Sequence, residues 1–236
     1  MRKTLEAAVQ SGQLQLTPTQ IGQLCQYGAM LLEKNQVMNL TAITEPEAVA
    51  QLHFLDCLAL LQLAVADFGG KKVIDIGCGA GFPGIPLLIA QPDLDLTLLD
   101  SLGKRVDFLQ ETAQAMDLKR IQCVHARAEE FARQHREKFD IATSRAVAQL
   151  NILCELALPL VKVGGQFLAM KSVDSDQEVQ SAKSAIAQLG GKIGKIWDYT
   201  IPGTDIRHRV VIIQKQHPTP AAYPRPFARI KKAPLG

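Results

Sequence analysis

The residues best suited to chemistry gather in one stretch, Val73 to Gly84, which reads V-I-D-I-G-C-G-A-G-F-P-G. An apolar run carrying an acid, then closely spaced glycines, then helix formers, describes a strand, a tight turn and a helix N-terminus, a turn that cradles nucleotide-like ligands. Gly77, Gly79 and Gly81 let the backbone bend sharply and approach a ligand where a Cβ would obstruct it. Asp75 puts a carboxylate at the C-terminal end of that strand. A second acid, Asp100, closes the apolar run Leu94 to Leu99. It lies about as far along the chain as the acceptor of ribose hydroxyls in such folds, roughly 20 residues on, which lifts the glycines above an ordinary tight turn.

Gly79, Gly81 and Gly84 also satisfy the G-x-G-x-x-G pattern of dinucleotide binders. Pro83 argues against that match, because a pyrophosphate needs free backbone N–H groups at the helix start and proline removes one. The G-x-G-x-G run beginning at Gly77, with Asp75 ahead of it, resembles instead the S-adenosylmethionine turn of class I methyltransferases, whose cofactor has no pyrophosphate.

These residues need a scaffold, and 236 residues with 47% hydrophobic content allow one ordinary domain plus an appendage. Thr17-Pro18-Thr19-Gln20 and Thr44-Glu45-Pro46-Glu47 read as capping boxes opening two helices in a helical cap, residues 1–66. His53 and Asp56 share a face of the second helix, either as structural residues or as a clamp on a ligand. From 67 to 217 strands alternate with helices, the mark of a parallel sheet. Strands are expected at Lys72–Ile76, Leu94–Leu99, Arg120–His125, Phe139–Thr143, Gly165–Met170, Ile193–Ile201 and Val210–Lys215, the fifth preceded by a turn at Gly164-Gly165 and the last two as an antiparallel edge pair. The fold class is thus α/β, a seven-stranded, mostly parallel, Rossmann-like sheet. Asp75, Asp100, Ala128, Glu129 and Arg145 all fall at the C-terminal ends of strands, where such sheets bind ligands.

The five cysteines are scattered and form no C-x-x-C pair, so neither a disulfide framework nor a metal site is indicated. Ala7, Ala8 and Val9 are too short a core for a signal peptide, and no apolar run reaches the ~20 residues of a membrane helix. We expect a cytoplasmic monomer that does not meet the membrane. Net charge is only +3, yet after Asp205 there are no acids while seven Lys and Arg residues follow. The Pro-rich tail, 218–236, is expected to lie without regular structure. Its Arg225, Arg229, Lys231 and Lys232 are either a solvated surface or a grip on a polyanion.

Taken together, these motifs resemble the bacterial 16S ribosomal RNA guanine-N7 methyltransferases, the glucose-inhibited division protein B family. The resemblance rests on Asn39-Leu40-Thr41, His53 with Leu55-Asp56, the run Asp75 to Leu87, Leu98-Leu99-Asp100-Ser101 with Lys104-Arg105, Ala128-Glu129, Ser144-Arg145-Ala146, the end of strand seven, and Tyr223-Pro224-Arg225 with Pro234-Leu235. It implies S-adenosylmethionine contacts at Gly77, Phe82, Ala128, Glu129 and Arg145, and a substrate in 16S rRNA of the small ribosomal subunit or its precursor. The physical reading adds Asp75, Gly79 and Asp100. Cys78 stands where the family often has Ser or Thr, and Lys171-Ser172 where Lys-Gly is usual.

Guanine N7 carries an in-plane lone pair and no proton, so attack on a sulfonium methyl needs no general base, and alignment with exclusion of water should dominate. Arg145 then has two readings, holding the cofactor or positioning the base or a phosphate. An exocyclic-amine methyltransferase would show an N-P-P-Y-like stretch after strand four, where this chain has Ser144-Arg145-Ala146-Val147. A small-molecule methyltransferase and a non-catalytic, cofactor-binding module that docks on RNA remain as alternatives.

Overall fold

The computed structural model describes residues 1–145 and 148–236. Seven strands form one sheet in the order β3-β2-β1-β4-β5-β7-β6. These are β1 (Lys72–Ile76), β2 (Asp95–Asp100), β3 (Ile121–His125), β4 (Phe139–Arg145), β5 (Val161–Ser172), β6 (Gly191–Thr200) and β7 (Arg207–Lys215). β1 to β5 run parallel, and β7 pairs antiparallel with both β5 and β6. The order reverses between β1 and β4, which opens a crevice beyond their C-terminal ends.

Period-two alternation distributes the strand residues between two cores. On one face Val73, Leu96 and Leu98 pack with α5 (Gly84–Ala90) and α6 (Gly103–Ala115) and with Leu5, Leu24, Tyr27, Phe54 and Leu58 of the N-terminal helices. On the other face Ile74, Ile76, Leu99 and Ala142 pack with α7 (Ala128–Gln134), α8 (Leu150–Ala157) and α9 (Asp176–Gln188). The N-terminal helices therefore share a continuous core with the sheet.

They comprise α1 (Arg2–Gln10), α2 (Pro18–Met38), α3 (Pro46–Val49), a π-helical turn over Ala50–Leu55 and α4 (Asp56–Gln62). The Thr17 capping box is present, with the Thr17 hydroxyl accepting from the Gln20 backbone N–H at 3.3 Å and the Gln20 side-chain Oε1 accepting from the Thr17 N–H at 2.8 Å. The expected Thr44 box is not: the N-cap is Glu45, one residue later, without a side-chain bond. β5 begins four residues before the predicted strand. Gly164 and Gly165, read as a turn ahead of it, lie within it, where its pairing with β4 shifts register between Phe139 and Ile141. A Cβ on Gly165 would stand 2.5 Å from the Asp140 carbonyl oxygen, so the close strand approach requires glycine.

The tail also departs from its expectation. Phe227–Lys232 forms a helix, α10, with Ile230 fully buried. Arg225 is held by Glu155 of α8, its Nε and a terminal nitrogen donating to the two carboxylate oxygens at 2.8 and 2.7 Å. Glu155 is completely buried, so Arg225 balances an interior charge and is not available as a phosphate grip. Removing one partner of such a pair costs about 3–5 kcal/mol. Arg225→Ala should lower stability by about that amount in urea denaturation, whereas the exposed Lys231→Ala should change it by under ~0.5 kcal/mol. Equal effects of the two substitutions would remove the buried-pair assignment.

Candidate active site

The glycine turn between β1 and α5 is fastened from inside. Gly77, Gly79 and Gly81 have φ of 66°, 59° and 101°, the left-handed region that favours glycine. At Gly79 a Cβ would point into open space, while at Gly81 it would lie 2.7 Å from Ile85 and 2.9 Å from Leu109. The turn is bound to β2 by the Gly77 N–H, which donates to the Leu99 carbonyl at 2.8 Å. Asp75 accepts the Gly84 N–H at 2.9 Å. Ile85 donates to Gly81 and Leu87 to Pro83, and Pro86 has no N–H. Every N–H in the first turn of α5 is thus taken or absent, which leaves no anion site for a pyrophosphate.

Beside the turn lies a cleft of about 140 Å³, walled by Ile76, Leu99, Leu156 and Phe227, with Gly77, Asp100, Ser101, Arg127, Ala128 and Glu129 around it. Asp100 accepts the Gly79 N–H and the Leu102 N–H, each at 2.9 Å, and Arg105 lies 3.6 Å away. It therefore both shapes the turn and borders the cleft. The set fits an adenosyl group: a carboxylate with remaining lone pairs for ribose hydroxyls, a backbone open at Gly79, and an apolar slot for a flat ring. The structure brings Gly77, Asp100, Ala128 and Glu129 together there.

Asp75 it does not. The carboxylate shares the strand face of Val73, opposite to the cleft-lining Ile76, and is fully buried behind the turn. One of its oxygens has no partner. Burial pushes its pKa up to about 7, against the lowering effect of the Gly84 N–H and Arg145. Asp75 is a fastener of the turn, and alternation along β1 could have shown it.

Arg145 and Phe82 meet in a second, polar cluster between the cap and the sheet. The Arg145 guanidinium donates to Asp56 at 2.9 Å, to the Leu52 carbonyl at 3.2 Å and to His53 Nδ1 at 3.0 Å, and lies 4.8 Å from the centre of the Phe82 ring. Three of its five N–H donors are taken by the protein, which makes Arg145 a structural hold on the cap. With Nδ1 accepting, the His53 proton resides on Nε2 and is donated to the Thr41 hydroxyl at 2.8 Å. Burial and the nearby Arg145 charge lower the His53 pKa to about 4, so the ring is neutral, stacked on Phe82 at 4.4 Å. Asp56 also accepts from Tyr199 and His208, both at 2.7 Å. Burial alone would raise its pKa, but the bonds from His208 and Tyr199 and the Arg145 charge hold it below the usual carboxylate range. His53 and Asp56 are thus members of one buried network. Tyr199 and His208 carried no local sequence signal, since their partner lies more than 140 residues away.

Of the tail residues, Arg229, Lys231 and Lys232 are exposed on α10, whose first residue, Phe227, lines the cleft. Ala146 and Val147, half of the stretch where an N-P-P-Y motif would fall, lie outside the described residues.

The sheet order, the crevice and the glycine turn define a class I methyltransferase fold. Solved structures share it: M. jannaschii TYW2 in complex with AdoMet superimposes with a TM-score of 0.55 at 13% identity, over 68% of this chain and 76% of that one. Thermus thermophilus TrmN does so with a TM-score of 0.51 at 22% identity, over 67% and 48%. A family model described as rRNA small subunit methyltransferase G matches residues 20–199. Curated relatives named ribosomal RNA small subunit methyltransferase G are 48% identical over 92% of this chain and 91% of theirs in Alkaliphilus metalliredigens, and 44% identical over 98% and 97% in Clostridium botulinum. The chain belongs to the rRNA small subunit methyltransferase G family.

The raised pKa of Asp75 makes a stability prediction. Between about 4 and about 7 the folded protein holds a proton on Asp75 that the unfolded chain has released, so this contribution is lost as pH rises through that window. His53, with its lowered pKa, acts in the opposite sense over much of the same range. The test is therefore the difference between wild type and Asp75→Asn: in urea denaturation, the stability of wild type relative to the variant should fall from pH 5 to pH 7.5. A difference independent of pH would exclude a protonated Asp75.

Proposed function

We propose that this chain transfers the methyl group of S-adenosylmethionine to N7 of a guanine in 16S rRNA of the small ribosomal subunit, acting as a cytoplasmic monomer. Among the described residues no helix is long and apolar enough to cross a membrane. The observation that carries the cofactor reading is the cleft itself, in which a glycine turn without free helix donors stands beside Asp100 and an apolar slot. Family membership carries the ribosomal RNA substrate.

S-adenosylmethionine, when bound, supplies an electrophilic methyl on a sulfonium. Asp100 would accept the ribose hydroxyls, the Gly77–Gly79 backbone would lie against the ligand, and Ala128 and Glu129 would border the nucleoside. Guanine N7 needs no deprotonation, so the chain's work is to align the lone pair with the methyl and to exclude water. Positive charge moves from sulfur to purine during transfer, and an additional free cation beside the base would oppose that. The Phe82–His53 stack is neutral and the Arg145 charge is balanced by Asp56, which suits such a wall. Arg145 acts here as a positioning residue that keeps this surface in register with β4.

Asp100→Asn keeps the size of the side chain but removes the charge and one of the two oxygens that accept from Gly79 and Leu102. It should weaken S-adenosylmethionine binding by about 1.5–3 kcal/mol, the worth of hydrogen bonds to a charged group, in calorimetric titration. Unchanged affinity in the folded variant would take Asp100 out of the site. The product is checked separately. A 7-methylguanosine has a fixed positive charge that labilises the base, so reduction followed by aniline should cleave rRNA there. RNA from cells lacking this protein should lose one such cut. Persistence of every cut, or labelling of an exocyclic amine by the purified protein, would overturn the N7 assignment.

A further inference from the structure

The matched family region ends at residue 199, yet one wall of the cleft comes from beyond it. That wall is Phe227, the first residue of α10. A six-residue helix does not stand alone in water, so something else must put Phe227 there.

The chain from β7 to α10 is fastened at every stage. Gly190, at φ 85°, accepts from Gln216 and His217 at 2.8 and 3.0 Å, and a Cβ on it would collide with the His217 carbonyl. Lys215, buried, donates to the Val161 carbonyl at 3.1 Å and to Thr219 at 2.8 Å. Arg136 donates to the Tyr223 carbonyl at 2.6 Å, and Arg225 binds the buried Glu155. Past α10, the Leu235 carbonyl accepts from Asn151 at 2.7 Å. Glu155 and Asn151 are both on α8, next to the cleft-lining Leu156. The strap thus crosses α8 and delivers an aromatic ring to a slot already walled by Ile76, Leu99 and Leu156. Arg127, which also lines the cleft, lies 5.6 Å from the ring centre. Behind the ring, on the same short helix, Arg229, Lys231 and Lys232 face solvent.

We propose that Phe227 is the adenine-facing wall of the cofactor cleft, and that an occupied cleft fixes α10 and so presents Arg229, Lys231 and Lys232 to the RNA backbone. This rests on the reading of the cleft as the S-adenosylmethionine site. A flat aromatic ring packs best against another, and a ring stacked on both α10 and the ligand couples the two. The coupling is reciprocal: whatever orders α10, an RNA phosphate included, raises cofactor affinity by the same factor.

The test uses the full chain and S-adenosylhomocysteine as probe, with calorimetry for affinity and amide hydrogen exchange for α10. Wild type should bind and should show slower exchange in α10 when bound. Phe227→Ala should bind about tenfold more weakly, with α10 exchange indifferent to ligand. Phe227→Tyr should restore both. Phe227→Leu keeps apolar packing without the aromatic plane, so it should retain wild-type stability in urea yet still lose affinity. Wild-type affinity in Phe227→Leu and Phe227→Ala, or α10 exchange unaffected by ligand in wild type, overturns the proposal. Failure of wild type itself to bind the probe is a different result, which overturns the reading of the cleft beneath it.

Discussion

A single hydrogen bond, from the Gly84 N–H to the buried Asp75, sets the conditions for the site. It anchors the start of α5 to the end of β1 behind the glycine turn, so the turn's open side faces the crevice at the sheet's reversal point. The carboxylate is costly to bury as an anion, and its raised pKa, about 7, eases that cost by leaving it partly protonated near neutral pH. The same bond closes the helix start to anions. What would be a phosphate cradle in a dinucleotide-binding fold is occupied from within, which suits the proposed ligand, a nucleoside without a pyrophosphate.

A second constraint joins the N-terminal helices to the sheet. Thr41, His53, Arg145, Asp56, Tyr199 and His208 form one connected set, drawing on the loop after α2, the π-helical turn, α4, β4, β6 and β7. Removing any charged member would leave another buried without its partner, which makes the set a device for fixing geometry more than for adding stability. Its position above β4 keeps His53 and Phe82 stacked, with a neutral imidazole and a balanced guanidinium.

Much of this was legible in the chain. Strand boundaries mostly emerged within a few residues, because alternation and apolar runs respond to the same burial that pairing enforces. The glycine turn was legible because few residues other than glycine tolerate those backbone angles, and Asp100 because it ends the next apolar run at the spacing a ribose acceptor requires. The failures share a cause. Gly164-Gly165 reads as a turn, and only the partner strand β4 makes it part of β5. Arg225 reads as a free cation, and its partner Glu155 lies 70 residues back. The tail reads as irregular because α10 owes its existence to the docking of Ile230 and Phe227, not to its own propensity. Asp75 is the exception, since strand parity alone separates it from the cleft.

The distribution of charge follows from the same internal pairings. Of the cations after Asp205, Arg209 binds Asp198 and Asp176, Lys215 binds Glu137, Arg225 binds Glu155, and Arg207 lies 3.7 Å from Asp198. Among the described residues, Arg229, Lys231 and Lys232 have no acidic partner. A net charge of +3 would give only a weak, diffuse attraction for a polyanion. By neutralising the other basic residues internally, the fold confines the strongest local field of the tail to α10, next to the cleft that Phe227 lines. On the proposed function, electrostatic attraction that is local in this way would bring an RNA backbone to the cleft instead of to the surface at large, which is what a methyl transfer needs when it depends on alignment and not on proton transfer.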